Sequence, residues 1–103
     1  MPDNPEMLVT LVTPPELQDA LIDWLLDRAE TVSGFTSLAA SGHGSSAASM
    51  TLAEQVAGYQ RRTLFLIHLP AERTAGFLQA LADAFAGGGV HWWVVPVAET
   101  GVV

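Results

Sequence analysis

A glycine–histidine–glycine turn, an adjacent pair of arginines and a histidine before two tryptophans are the parts of this sequence best suited to binding. The residues are Gly42, His43, Gly44, Arg61, Arg62 and His91. Imidazole suits borderline cations such as zinc and copper, and guanidinium suits anions. The histidine spacing forms no metal motif, so only ligands from several subunits would complete a zinc or copper site. We expect His43 and His91 to be its candidate ligands.

Each of these residues also has a purely structural interpretation. His43 equally suits an exposed loop residue, and His91 suits a packing residue at the start of a strand. His68 is expected to be satisfied within the fold or at an oligomer interface. The arginine pair either holds an anion or a partner's acidic patch, or offsets nearby acids.

Catalytic chemistry has little support in the sequence. No serine occupies a strand–turn–helix elbow, and the three histidines show no triad spacing. The run 87–89 favours a helix end over a phosphate cradle. The absence of cysteine excludes thiolate sites, including the Cys-x-x-Cys motif of a metallochaperone. We predict a protein that is not an enzyme, and the sequence indicates no cofactor other than the candidate zinc or copper ion.

Composition limits the partners. The 103 residues predict one domain, 1–103, whose first segment, 1–6, is flexible. A net charge of −7 without any lysine argues against nucleic acid. No apolar run reaches the ~20 residues that a membrane helix needs, and the acidic, proline-containing start does not suit a signal peptide. We therefore expect a cytoplasmic protein without direct membrane insertion.

Hydrophobic patterning predicts four strands and two main helices. The strands are expected at 7–12, 34–40, 61–69 and 91–98. One helix is predicted to begin at Thr13 with Glu16 completing a capping box and to fade over 29–32, and the other to begin at 70–72. A Gly/Ser-rich loop occupies 41–49, and a short helix over 51–57 ends at Gly58.

This element order is that of a ferredoxin-like α+β fold, βαββαβ. It has a four-stranded antiparallel sheet with two helices on one face. In this topology the second strand ends where the third and fourth begin, which brings the predicted binding residues to one end of the sheet.

Both faces of the sheet are expected to be apolar. Leu64 and Leu66 point to one side and Phe65 and Ile67 to the other, and the two tryptophans at 92–93 face opposite sides. A second copy of the chain would cover the face that lacks helices, so we predict a closed dimer or trimer. A different protein partner on that face is the alternative.

The chain resembles the PII family of signalling proteins. The resemblance lies in Gly34-Phe35-Thr36, in the glycine–histidine–glycine turn, and in the segment 41–60 at the position of the family's T-loop. It implies a trimer with inward-facing sheets. Ser45-Ser46 replace the glutamine that helps PII proteins hold Mg-ATP. The loop directly before the fourth strand, which is basic and binds phosphate in PII proteins, is reduced here to glycines without lysine or arginine. Classical nucleotide binding is therefore not expected.

Further segments resemble a small uncharacterised bacterial PII-like family encoded beside heavy-metal efflux pumps. They include 32–37, 52–58 and 91–93. This resemblance implies a non-enzymatic sensor in metal homeostasis that binds a metal ion or small ligand at subunit clefts. The 41–60 loop would contact a partner, such as an efflux pump component. The alternative is a small dimeric ferredoxin-like enzyme, such as a cofactor-free monooxygenase or isomerase.

Overall fold

The computed structural model describes residues 5–44 and 51–103, apart from the side chains of 55–57. Its elements in chain order are β1 (Glu6–Thr13), a 3-10 turn (Pro15–Leu17), α1 (Gln18–Leu26), β2 (Phe35–Gly42), α2 (Leu52–Ala57), β3 (Gln60–Pro70), α3 (Ala71–Ala84) and β4 (His91–Val97). The predicted order of strands and main helices is confirmed. None of the helices described is long and apolar enough to cross a membrane.

The four strands form one antiparallel sheet in the order β2-β3-β1-β4. The central strands β1 and β3 are therefore flanked by β2 on one edge and β4 on the other. Pro96 lies in the edge strand β4, where a proline is tolerated because the N–H that it lacks is needed in a central strand. The fold is the predicted ferredoxin-like α+β class.

One face of the sheet packs against α1 and α3. The register places Leu11 between Phe65 on β3 and Trp92 on β4, so all three share this face. The buried hydrophobic residues that the structure describes come from strands, helices and the connection before β2: Val9, Leu11, Leu21, Leu25, Val32, Phe65, Ile67, Leu69, Phe77 and Leu81. The core therefore lies between the sheet and the two helices.

The opposite face of the sheet, which we term the open face, is also apolar. Thr10 pairs with Leu66 and with Trp93, which places these residues side by side on it. Trp93, Leu38 and Val95 remain 49%, 43% and 43% exposed. The prediction that both faces are apolar and that the two tryptophans point to opposite sides is confirmed. His68 also lies on this face and is exposed in the single chain.

The first helix begins differently from the prediction. Thr13 remains in β1, fully buried, and its hydroxyl donates to the carbonyl oxygen of Pro14 at 3.1 Å. No described side chain caps the 3-10 turn or α1, so the predicted capping box with Glu16 is wrong. Pro14 is extended (φ −59°, ψ 145°), because the following proline disfavours helical geometry. α1 ends at Leu26, earlier than predicted, and hydrogen-bonded turns follow it.

Backbone hydrogen bonds fix the second half of the fold to the first. The amide of Ala71, at the start of α3, donates to the carbonyl of Pro5 at 2.9 Å. Residues 1–4 of the predicted flexible segment lie outside the described residues, whereas Glu6 already belongs to β1. Beyond α3 the chain reverses through Gly87 and Gly89, whose φ angles are +76° and +78°. This reversal confirms the predicted helix end.

Two glycine-to-alanine changes are expected to shift stability in opposite directions. Gly76 lies inside α3, and a methyl group added to it would have no described atom within 4 Å, so Gly76→Ala should stabilise by about 0.5–1 kcal/mol. Gly87→Ala should destabilise by about 1–2 kcal/mol, because alanine resists the left-handed conformation. Urea denaturation at one fixed protein concentration measures both changes. The same sign for both would contradict this assignment.

Candidate functional site

A surface cavity of about 640 Å³ lies at the end of the sheet where β3 begins. Its wall is formed by the 3-10 turn, by α2 and by the first residues of β3: Pro14, Pro15, Glu16, Thr51, Ala53, Glu54, Tyr59, Arg61 and Arg62. The side chain of Thr63 donates to Gln18 Oε1 at 2.8 Å, which ties the start of α1 to β3. This bond helps to hold the 3-10 turn beside the cavity.

α2 forms the other wall of the cavity, and its sequence fixes where this short helix begins and ends. Thr51 is extended, and its hydroxyl accepts a hydrogen bond from the Glu54 amide at 3.1 Å. In return Glu54 Oε1 accepts from the Thr51 amide at 2.9 Å, which completes a capping box. Gly58 ends the helix with a φ of +82°. The predicted start and end of this short helix are confirmed.

Glu54 also faces the arginine pair. Its Oε2 lies 3.8 Å from Arg62 Nη1. The pKa of Glu54 is lowered, chiefly by the hydrogen bond from the Thr51 amide, and to a smaller extent by the Thr51 hydroxyl, the Arg61 backbone and the charge of Arg62. The carboxylate is thus ionised at neutral pH and joins α2 to β3.

Arg62 is held in place by several groups. Its Nη1 donates to the Arg61 carbonyl at 2.6 Å and its Nη2 donates to Gln60 Oε1 at 2.9 Å. Arg61 is exposed, and its side chain forms no ion pair with any residue that the structure describes. The cavity therefore combines one fixed guanidinium with one that is available to an incoming anion.

The glycine–histidine–glycine turn borders this cavity. A methyl group at Gly42 would lie 3.4 Å from Arg62 Cγ, so β2 passes close to the arginine here. The exposed His43 ring lies 6.4 Å from the ring of Tyr59, which lines the cavity, and Gly44 follows. The structure thus places five of the six predicted site residues, Gly42 to Gly44 and both arginines, at one location.

His91 lies apart from that group within one chain. It starts β4 at the same end of the sheet, but β4 and β2 occupy opposite edges. Three strand spacings separate these edges, about 14 Å. Over residues 5–44 and 51–103, no three His, Cys, Asp or Glu side chains are grouped so as to hold a metal ion. His43 and His91 of a single chain do not fit a metal site, and the metal prediction depends on neighbouring subunits.

The polar residues around the cavity suit the binding of an anion. The described part of its lining contains two guanidiniums, two carboxylates and a phenol, but no serine, cysteine or histidine. The Thr51 hydroxyl is already engaged in capping α2. A small anion fits such a surface through charge-assisted hydrogen bonds.

Sequence comparison decides the family. Residues 4–103 match the model of DUF3240, a protein family of unknown function. The chain belongs to the DUF3240 family. No curated protein matches it significantly.

Solved structures agree with this assignment. A DUF3240 protein from Shewanella baltica OS155 has a TM-score of 0.75 and 26% identity, over 95% of this chain and 96% of that one. A nitrogen regulatory PII-like protein from Thiomonas intermedia K12, bound to ADP, AMP and bicarbonate, has a TM-score of 0.68 and 20% identity, over 96% and 97%. A putative PII-like signalling protein from Thermus thermophilus has a TM-score of 0.61 and 26% identity, over 90% and 86%. The predicted likeness to PII-like proteins is confirmed.

Several cavity residues of this DUF3240 protein were not singled out from the sequence. The sequence prediction assigns no role at the site to Glu54, to Tyr59 or to the proline pair at 14–15. The spacing of Glu54 from Arg62, eight residues across a helix end and a turn, carries no recognisable motif. Only the fold brings them together.

The dual role of Glu54 predicts a pH effect on α2. A carboxylate whose pKa is lowered in the folded protein contributes stability above its ordinary pKa near 4.5, and this contribution is lost as the pH falls through the lowered value. We expect α2 to fray in that acidic range before the sheet does. Amide NMR signals of residues 52–57 measure this, with Glu54→Gln as the control that removes the pH dependence. Fraying that is equally pH-dependent in the control would contradict the assignment.

Proposed function

We propose that this DUF3240 protein is a non-enzymatic, PII-like regulatory protein that binds a small anion at the Arg61–Arg62 cavity. The observation that carries the proposal is the position of this arginine-lined cavity. Its lining includes α2, which lies within segment 41–60, and the start of β3, which follows that segment. Gly42, at the end of β2 where the segment begins, lies against Arg62. A ligand on the arginines would therefore contact both sides of the segment that we expect to meet a partner. Residues 45–50 of that segment lie outside the described residues.

The kind of ligand follows from the charges at the cavity. ADP, AMP and bicarbonate, which the Thiomonas protein holds, are all anions, and Arg61 and Arg62 supply the cationic groups here. The carboxylates of Glu16 and Glu54 line the same cavity and oppose a highly charged ligand. We therefore favour a small, singly charged anion such as bicarbonate over a nucleotide with several phosphates.

The oligomer is a second part of the proposal. The open face carries exposed tryptophan, leucine and valine on a sheet whose other face is already packed. A monomer rarely leaves such a surface in water. We infer a closed homo-oligomer with the open faces turned inward, and favour a trimer on the resemblance to PII-like proteins.

The link to metal homeostasis is the most specific part of the proposal, and it rests on the resemblance to the efflux-associated PII-like family. It comprises a role in heavy-metal efflux, a pump component as partner, a cytoplasmic location, and zinc or copper at His43 with ligands from other subunits. The exposure of His43 beside Tyr59 leaves its imidazole accessible to such a ligand.

Calorimetric titration tests the ligand. Bicarbonate, AMP, ADP and zinc are titrated separately into wild type, Arg61→Gln and His43→Ala, with the mass of each variant checked by light scattering. We expect anion binding that weakens at least tenfold in Arg61→Gln and is retained in His43→Ala. Zinc binding should instead weaken in His43→Ala and be retained in Arg61→Gln. If none of the three anions binds wild type, or if binding is insensitive to Arg61→Gln, the proposed ligand site is wrong.

A further inference from the structure

A second arginine-lined groove lies on the helix layer, away from the Arg61–Arg62 cavity. It occupies about 340 Å³ between the C-terminal end of α1 and the middle of α3. Its lining consists of two arginines, one threonine and three small or apolar residues: Arg28, Thr31, Arg73, Gly76, Phe77 and Ala80. None of the described carboxylates lines it. The groove thus combines positive charge with an apolar floor in a protein of net charge −7.

Arg28 is held rigidly at one side of the groove. Its guanidinium carbon lies 3.8 Å from the centre of the Trp24 ring, and its Nη1 donates to the Trp24 carbonyl at 3.4 Å. Trp24 packs in turn on Phe77 and Phe85, with ring centres 5.6 and 5.7 Å apart. The cation is therefore half-buried and preorganised on an aromatic cluster.

Arg73 approaches from α3. Its Nη1 donates to the Glu30 carbonyl at 3.1 Å, across the turn that follows α1. Each of these hydrogen bonds uses one N–H of its arginine, out of the five that a guanidinium carries. Neither arginine forms an ion pair with a carboxylate in the part of the chain that the structure describes. Most of their donors thus remain available to a ligand.

The rest of the groove is shaped for a hydrocarbon group. Phe77 and Ala80 form its apolar side. The groove is open at Gly76, where an added methyl group would have no described atom within 4 Å. The volume is at the lower end of the range for small-molecule pockets, about 300–1,000 Å³. Inorganic phosphate would leave the apolar side uncovered.

We propose that this groove binds a small organic carboxylate whose apolar body, aryl or branched alkyl, packs on Phe77 and Ala80. Its carboxylate accepts hydrogen bonds from Arg28 and Arg73. The site is independent of the anion cavity at β3, because no described residue lines both. Loss of one site should therefore leave the other intact.

The test uses phenylacetate as the probe and its uncharged amide, phenylacetamide, as the matched control. Trp24 lies under Arg28, so its indole N–H signal in NMR reports ligand binding, and Trp24→Phe identifies that signal. We expect a saturable shift with a Kd on the order of 1 mM for phenylacetate. The amide and acetate should bind at least tenfold more weakly. The indole signals of Trp92 and Trp93 should stay unchanged.

Three variants locate the probe. Arg73→Gln should weaken phenylacetate binding at least tenfold, and Gly76→Leu should abolish it by filling the groove, whereas Gly76→Ala retains it. The amide binding as tightly as the acid would overturn the proposal, as would unchanged binding to Gly76→Leu. So would the lack of any saturable shift up to about ten times the expected Kd.

Discussion

Replacing Trp93 by glutamate is expected to reduce the particle mass of the protein to that of a single chain, 10.9 kDa. Trp93 lies on the open face beside Thr10, which also pairs with Leu66. Burying a side chain of this size contributes about 1.5–3 kcal/mol, and a carboxylate in the same contact would cost several kcal/mol more. Each 1.4 kcal/mol is tenfold in affinity, so a closed oligomer should dissociate at micromolar concentration.

The neighbouring tryptophan provides the matched control. Trp92 and Trp93 are adjacent in β4 and almost equally exposed, at 51% and 49%, but Trp92 lies on the face that carries the helices. Trp92→Glu should therefore keep the oligomer. Light scattering with both variants separates loss of the interface from a general effect of charge on β4. An unchanged mass for Trp93→Glu would show that the open face is not the subunit interface, whereas low masses for both variants would show a general effect of charge on β4.

Replacing Phe65 by alanine should cost about 3–5 kcal/mol of unfolding free energy, a large part of the 5–15 kcal/mol typical of a domain. Phe65 is fully buried on the central strand β3 and packs on the helix side against Leu11. Its ring lies 6.1 Å from that of Phe35. The central position leaves little room for the surrounding strands to collapse into the cavity that alanine creates.

Phe35→Ala is the control for this substitution. Phe35 lies on the same face but on the edge strand β2, and it is only half-buried. We expect about half the loss seen for Phe65, because water already reaches part of its ring. Urea denaturation of both variants, at one protein concentration, gives the comparison. A larger loss for Phe35→Ala would mean that the core is not centred on β3.

The same packing bears on the enzyme alternative. A dimeric ferredoxin-like enzyme would need a pocket between the sheet and the helices. In this protein Phe65, Leu21, Leu25, Phe77 and Leu81 occupy that layer. The described cavities lie at its margins or on its surface. These packed side chains fill the described part of that layer, which counts against a catalytic pocket there.

The fold was largely predictable because hydrophobic runs and helix ends are local signals. Leu64 to Ile67 predict a strand that is apolar on both faces, and the sheet has that strand at its centre. The start of α1 was mispredicted because Thr13 and Glu16 have the spacing of a capping box. The consecutive prolines at 14–15 already argued against it, since a proline keeps the preceding residue extended.

The sequence predicts which end of the sheet the site residues share, but it does not predict their positions across the sheet. Strand direction shows that His43, Arg61 and His91 lie at the same end of the sheet. Lateral position depends on the strand order, and β2-β3-β1-β4 separates His43 from His91. The contact of Glu54 with Arg62 could not be predicted from the sequence for a different reason. Its second oxygen meets Arg62 only after α2 has folded back onto β3.

The two edges of the sheet differ in what they offer to another strand. β4 carries Pro96, which has no N–H to donate, whereas β2 contains no proline from Phe35 to Gly42. Growth of a sheet from chain to chain requires two receptive edges on every molecule. Pro96 obstructs one of them, so the chain resists stacking into an endless ribbon. Replacing that proline should therefore increase the tendency of the chain to form fibrils, even though Pro96 lies in neither of the proposed binding sites.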